Sequence, residues 1–303
     1  QTILSGDITM TNDKTTYSNP REVCKTLLSA ADVLFSNRAR SGCTINLPST
    51  GTCWVSGDLH DNPKHLQTIV KLACLDTPSN HLVLQELIHS GDESNDPDVS
   101  YQTLVKVAEL VLEYPNQVHP ILANHELSQA MGKPITKGHG DLVYKFIQGV
   151  HSVFDTKSGM VLKAINAFIF SMPLAVRSSS GLMCTHSLPD VDKITVFDEN
   201  IINREMLVSD IDELFGSANL VVWGRVHTNK QIKELGSRWG VKLFCVGHAL
   251  VQDGIEVTFP NMLSINSDHR NGVVLPINLE KIENANKTIT HAIMLGSGLN
   301  IKQ

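Results

Sequence analysis

No apolar run in this 303-residue chain approaches the roughly 20 residues that a helical membrane span needs, so no membrane partner is expected. The N-terminus (Gln1, Thr2, Ser5, Asp7, Thr9) lacks the basic start and apolar centre of a signal peptide. It begins on Gln, which reads as a trimmed or processed start. There is no CxxC pair among Cys24, Cys43, Cys53, Cys74, Cys184 and Cys245. Cys53, Cys184 and Cys245 sit inside apolar runs like small core residues, so reduced thiols and a cytoplasmic location are expected. Aromatic residues are only 5%, and Lys, Arg and aromatics do not cluster. With 25 basic against 31 acidic side chains the net charge is −6, which argues against nucleic-acid coating. GxSxG, GxxxxGK[ST] and GxGxxG are absent, and His125-Glu126 is not HExxH because Gln129 stands at the last position. Long linkers, low-complexity stretches and internal repeats are also missing.

What is present is an ordinary globular composition, 42% hydrophobic and 18% charged, with 13 histidines. Asn19-Pro20 ahead of Val23, Leu27, Leu28, Ala31 and Leu34 predicts a capped helix. A Gly/Ser/Pro/Thr-rich loop is expected over 41–51, then a buried strand over Thr52–Ser56. Asn62-Pro63 opens a second helix, 81–86 reads as a strand, and a helix follows through Leu104 and Val111. Val118–Leu122 is a third strand, so this half has the β-α-β-α-β order of parallel strands with crossover helices. Beyond it, 167–171, 182–185, 220–223 and 243–246 read as short strands. The stretches 256–265 and 273–279 are expected to pair antiparallel. The chain past about residue 281 is polar and expected to dock loosely.

The apolar runs end on groups able to bind metal. Asp58 and His60 follow the first strand, Glu86 the second, and Asn124 and His125 the third. His186 and His248 end two more. In open α/β sheets ligands bind at the carboxyl ends of strands, so these groups are expected to converge. A lone histidine after a strand is more often a satisfied polar residue than a ligand; agreement among five strand ends is harder to dismiss. The mixed O and N donors suit two borderline divalent ions such as Mn, Fe or Zn.

Gly57-Asp58-Leu59-His60, Ala123-Asn124-His125-Glu126, His186-Ser187-Leu188-Pro189 and Gly247-His248 resemble the motifs of the calcineurin-like metallophosphoesterases. Tyr114-Pro115 and the run from Val246 to Gly254 resemble the PPP branch of serine/threonine protein phosphatases. The resemblance spans about residues 52–279. It implies an α/β (α+β) fold, a four-layer αββα sandwich of mixed β-sheets flanked by helices. One domain over 1–303 is expected, with a helical extension near 19–40 and a C-terminal tail from about 281. The resemblance assigns Asp58 and His60 to a first metal and Asn124, His186 and His248 to a second. It makes His125 the proton donor to the leaving oxygen.

The second motif departs from the family. Glu86, 28 residues after Asp58, stands in the bridging position without a gap, with His89 where the family keeps an acid and Ser90 where it keeps a phosphate-binding Arg. The rival is Asp92 of Ser90-Gly91-Asp92, six residues further on, which keeps the literal Gly-Asp. Glu86 is preferred because strands average about 5–6 residues. His89 cannot be a fixed negative partner for His125; Asp92 is an alternative source of that acid. Arg225 is the candidate phosphate clamp, with Arg38, Arg40 and Arg270 behind it, and His227 is a decoy for His248. The resemblance implies a metallophosphatase that hydrolyses phosphomonoesters with a two-metal-activated hydroxide, its partner a phosphorylated protein or small phosphoester. The alternatives are a phosphodiesterase and a pseudo-phosphatase that binds without catalysis.

Overall fold

The structure is a computed structural model that describes residues 17–90, 96–136 and 140–296. In chain order it runs α1 (Pro20–Ser36), β1 (Arg40–Ser41), β2 (Thr44–Leu47), β3 (Thr52–Asp58), α2 (Pro63–Ala73), β4 (Asn80–Gln85), α3 (Tyr101–Glu113) and β5 (Val118–Ile121). Then come α4 (Asn124–Met131), α5 (Leu142–Phe154), α6 (Ser158–Ser171), β6 (Ala175–Ser178), β7 (Leu182–Thr185), α7 (Ser217–Trp223), α8 (Asn229–Trp239) and β8 (Leu243–Val246). The chain finishes with β9 (Ile255–Phe259), β10 (Met262–Ile265), β11 (Val273–Asn278), α9 (Ala285–Thr288) and β12 (Ile293–Met294). The first two helices start as their caps dictate: Asn19 accepts from the amide of Arg21 and Asn62 from that of His65, each ahead of a proline at the first helical position.

Two mixed sheets result, in the order β1-β2-β6-β7-β8-β10-β9 and β12-β11-β3-β4-β5 among the described residues. The strands β3, β4 and β5 are parallel neighbours, as the β-α-β-α-β pattern predicts. Alternate residues of one strand enter different cores. Val83 joins Val55, Ile121, Val176, Cys184, Cys245 and Leu263 between the sheets, while Leu82 and Leu84 face a cluster built with the helices. Strands covered on both faces read as continuous apolar runs rather than alternating ones. The result is the expected sandwich of two mixed sheets flanked by helices. Where β3 crosses β10 the sheets approach so closely that a Cβ on Gly57 would lie 2.0 Å from the Ile265 carbonyl oxygen. Glycine is required there for space rather than for its backbone angle.

Several expectations are corrected. Residues 44–47 are a strand, β2, inside the predicted loop. The run 167–171 closes helix α6, whose buried Val161, Ala164, Ile165, Phe168 and Ile169 show helical spacing once the window is long enough. Residues 220–223 belong to α7, a helix buried on all sides, where a short apolar run carries no periodicity. The stretch 256–265 is itself a hairpin of β9 and β10, and β11 pairs with β3 in the other sheet. Residues 282–296 are not loose: β12 pairs with β11, and Ala285, Thr288 and Leu295 are buried. No described helix is long and apolar enough to cross a membrane. Among the described cysteines, all six are free and only Cys74 is exposed.

Candidate metal centre

The carboxyl ends of β3, β4 and β5 in one sheet and of β7 and β8 in the other meet at one place. Asp58 is the last residue of β3, Glu86 follows β4, and Asn124 opens α4 after β5. His186 follows β7, and His248 stands two residues past β8. Backbone hydrogen bonds tie the loops together. The amides of Leu59 and His60 donate to the Glu86 carbonyl at 2.9 and 2.8 Å, and that of Gly247 donates to the His186 carbonyl at 3.0 Å. His60, Glu86, His89 and His248 all have positive φ, between 41° and 64°. Non-glycine residues hold that left-handed region only under a surrounding structure that enforces it, and such strain gathers at functional sites.

Glu86 is the shared member of two groups of possible ligands, His60–Glu86–His125 and Asp58–Glu86–His186. Its Oε1 lies 3.3 Å from His125 Nε2, and its Oε2 lies 3.8 Å from His60 Nε2 and 3.6 Å from His186 Nε2. The grouping differs from the one implied by resemblance, because Asp58 falls with His186 and His125 with His60. Asn124 Oδ1 lies 2.7 Å from His186 Nε2 and 2.9 Å from His248 Nδ1. Asp58 Oδ1 accepts from the His248 amide at 3.0 Å and sits 3.8 Å from His186 Nδ1. All of these except the half-buried His60 are buried.

The donor set fits a cation. Burial, then the neighbouring His248, His60 and Arg225, hold His186 well below the ordinary imidazole value. His248 is pushed down to about 3 by burial first and Arg225 second. Both rings are therefore neutral at pH 7, with one N–H each. For His186 that N–H is Nδ1, 2.9 Å from the Gln85 amide oxygen. Its Nε2 lone pair then faces the Asn124 oxygen and Glu86 Oε2. Lone pairs turned on one another repel unless a cation lies among them, and mixed imidazole, carboxylate and amide oxygen donors suit a borderline divalent ion.

Residues outside the expected ligand set complete the site. Glu126 is fully buried, and its Oε1 accepts from the amides of Leu87 at 2.7 Å and Ile88 at 3.2 Å. Burial pushes its carboxyl up to about 7, opposed by those amides. It thereby holds the turn that carries Glu86 and His89. Asn266 donates to Asp58 Oδ2 at 3.3 Å, and Gln85 donates to the Ser56 carbonyl at 2.8 Å while facing His186. The glutamate of Asn-His-Glu was visible as part of a motif; Gln85, Gln129 and Asn266 acquire their partners only through tertiary folding.

His89 is brought against His125, with 3.0 Å between their Nδ1 atoms, and burial lowers its pKa. The exposed Arg225 lies beside the centre, its guanidinium donating to the His248 carbonyl at 3.1 Å. Arg40 is engaged elsewhere, donating to the carbonyls of Gly42, Leu34 and Ser171. His227 Nε2 is 2.8 Å from the Leu188 carbonyl oxygen and forms no part of the cluster. Asp92 lies outside the described residues.

The profile of the calcineurin-like phosphoesterases matches residues 51–252. The chain belongs to that family, which places it among the metallophosphoester hydrolases. A protein serine/threonine phosphatase of Saccharomyces cerevisiae with similarity to human phosphatase PP5 superposes with a TM-score of 0.61 at 11% identity, over 86% of this chain and 83% of the yeast one. A cold-active protein-tyrosine phosphatase of a psychrophilic Shewanella species gives 0.55 at 12% identity, over 83% and 80%. At such identities the likeness is one of fold.

Proposed function

We propose that the chain is a two-metal phosphatase acting on phosphomonoesters. The observation that carries this reading is Glu86, whose buried carboxylate is shared by both groups of donors at the junction of the two sheets, with Oε1 toward His125 and Oε2 between His60 and His186. Asp58 and His60 would hold one ion, Asn124, His186 and His248 the other, and Glu86 both. Mn, Fe or Zn suits these donors. When bound, such ions supply Lewis acidity toward the phosphoryl oxygens and a water acidic enough to attack near neutral pH.

The chain's own groups do the rest. His125 Nε2 faces the centre and gives its proton to the leaving oxygen, a role suited to an imidazole because its reference pKa is near 6.5. Arg225, whose guanidinium donates to the His248 carbonyl, would bind phosphoryl oxygens with its other N–H groups. The positive field is local in a chain of net charge −6. The two similar folds act on different phosphoresidues by their names, so a phosphoprotein and a small phosphomonoester both remain within this reading. A single domain over the chain and a cytoplasmic setting, suggested by six free thiols, belong to the same proposal.

Metal analysis with p-nitrophenyl phosphate hydrolysis tests it. Bound metal and Mn-dependent turnover are expected, and Glu86→Ala should lose both. No bound metal and no turnover with several divalent ions would overturn it, leaving a binding protein of the same fold. Metal loss in Asp92→Ala but not in Glu86→Ala would overturn the bridging assignment.

A further inference from the structure

His89 is clamped at both ring nitrogens by one helix. His125 and Gln129 are one turn apart on α4, four residues, so they share a face. His125 Nδ1 is 3.0 Å from His89 Nδ1, and Gln129 Oε1 is 3.0 Å from His89 Nε2. All three side chains are buried, the His89 amide donates to Ser100 Oγ at 3.1 Å, and Phe146 packs edge-on against the His89 ring. Two imidazoles meeting through nitrogen have two ways to share a proton, and nothing in the pair itself chooses between them.

We propose that Gln129 is a positioning residue that sets the direction of this relay, so that His125 always keeps its Nδ1 proton and works through Nε2. An amide oxygen only accepts, so His89 must carry its proton on Nε2. A neutral His89 then has a lone pair on Nδ1, and His125 must donate Nδ1–H to it. The proton that His125 exchanges with the reaction is thereby confined to Nε2, the nitrogen 3.3 Å from Glu86 Oε1. As the attacking water oxygen bonds to phosphorus and the ester P–O bond breaks, the electron pair of that bond goes to the leaving oxygen, which takes the Nε2 proton of the doubly protonated His125. His125 is left neutral, still donating Nδ1–H to His89. A carboxylate at position 89 would enforce the same direction with a charge; here a neutral Gln–His pair does so without one. Reversing the relay would put an N–H of His89 against His125 Nδ1 and forbid a proton at both nitrogens of His125. The inference rests on His125 being the proton donor.

The test combines a spectroscopic and a kinetic readout. Long-range proton–nitrogen NMR of the metal-free protein at pH 8 should show His89 as the Nε2–H tautomer and His125 as the Nδ1–H tautomer. In Gln129→Leu the His89 signals should move to a mixture, and in Gln129→Glu, which keeps an accepting oxygen, they should return. Losing one orienting hydrogen bond predicts a fall in kcat of about 3- to 10-fold for phenyl phosphate, whose leaving group needs a proton. KM should hold, 2,4-dinitrophenyl phosphate should change less than about twofold because its leaving group needs none, and Gln129→Glu should recover. An Nδ1–H tautomer for His89 in the wild type would overturn the proposal, as would an equal loss on both substrates or no loss on either. If the wild-type protein hydrolyses neither ester, the phosphatase reading fails while the tautomers still decide the relay.

Discussion

Gly247 offers the sharpest test of how tightly the centre is built. A Cβ at this position would lie 2.1 Å from Asp58 Oδ1 and 2.7 Å from Gln85 Oε1. Gly247 is not one of the positive-φ glycines, so Gly247→Ala adds crowding without backbone strain. To reach ordinary contact at 3.4 Å, the methyl carbon and the Asp58 oxygen must part by about 1.3 Å. Asp58 is held by the His248 amide and Asn266, and Gln85 by the Ser56 carbonyl, so neither moves alone. A displacement of about 1 Å at a reacting centre costs about 100-fold in rate, equivalent to about 2.7 kcal/mol of barrier. Overpacking of this kind also costs about 1–3 kcal/mol of stability. The assay is kcat/KM for p-nitrophenyl phosphate with Mn, alongside bound metal and urea unfolding. Gly159→Ala is the control, since its Cβ meets nothing within 4 Å and it lies in the first turn of α6. It should leave activity unchanged and stabilise by up to about 1 kcal/mol. If Gly247→Ala keeps its metal and stays within about threefold of wild-type activity, the close approach of Gly247 to Asp58 is not what shapes the site.

Glu126→Ala should cost about 1–3 kcal/mol by orphaning the amides of Leu87 and Ile88, and it should weaken metal binding by loosening the turn that carries Glu86. Glu126→Gln, which keeps one accepting oxygen, should do less in the same unfolding and metal-binding measurements. Away from the centre, burial and the adjacent His81 push His119 down to about 3. Between that value and about 6.5 the unfolded chain binds a proton that the folded one refuses, so stability falls as pH drops through this window, by roughly 1.4 kcal/mol per unit. Urea unfolding at pH 8 and pH 5 should therefore differ by about 2 kcal/mol more in the wild type than in His119→Leu. Removal of metal with a chelator should lower the melting temperature, because ions at about 100 times Kd stabilise the folded state by about 2.7 kcal/mol. Equal melting curves with and without chelator would argue against a resident metal.

The convergence of the strand ends is legible in the sequence, whereas several of the local elements around them are not. Asp58, His60, Asn124, His186 and His248 each follow an apolar run at a strand end or helix start, and a parallel arrangement brings such ends together. Local patterns failed where a short apolar stretch had no period of its own, as over 167–171 and 220–223, which are helical. The pairing of β11 with β3 across more than 200 residues also leaves no local trace. Among site residues, Gln85, Gln129 and Asn266 were missed because an isolated amide side chain reads as surface until its partners are known. The preference for Glu86 over Asp92 rested on strand length, and β4 does end at Gln85, immediately before Glu86. The placement of His89 beside His125 was expected from the second motif; the amide behind it was not.

Anomalous diffraction from crystals grown with manganese tests most directly whether Glu86 joins two ions. Two peaks about 3.5–4 Å apart should appear, each in contact with a Glu86 oxygen, one beside Asp58 and His60 and the other beside Asn124, His186 and His248. A single peak, or a Glu86 carboxylate turned away from both ions while Asp92 contacts them, would contradict it.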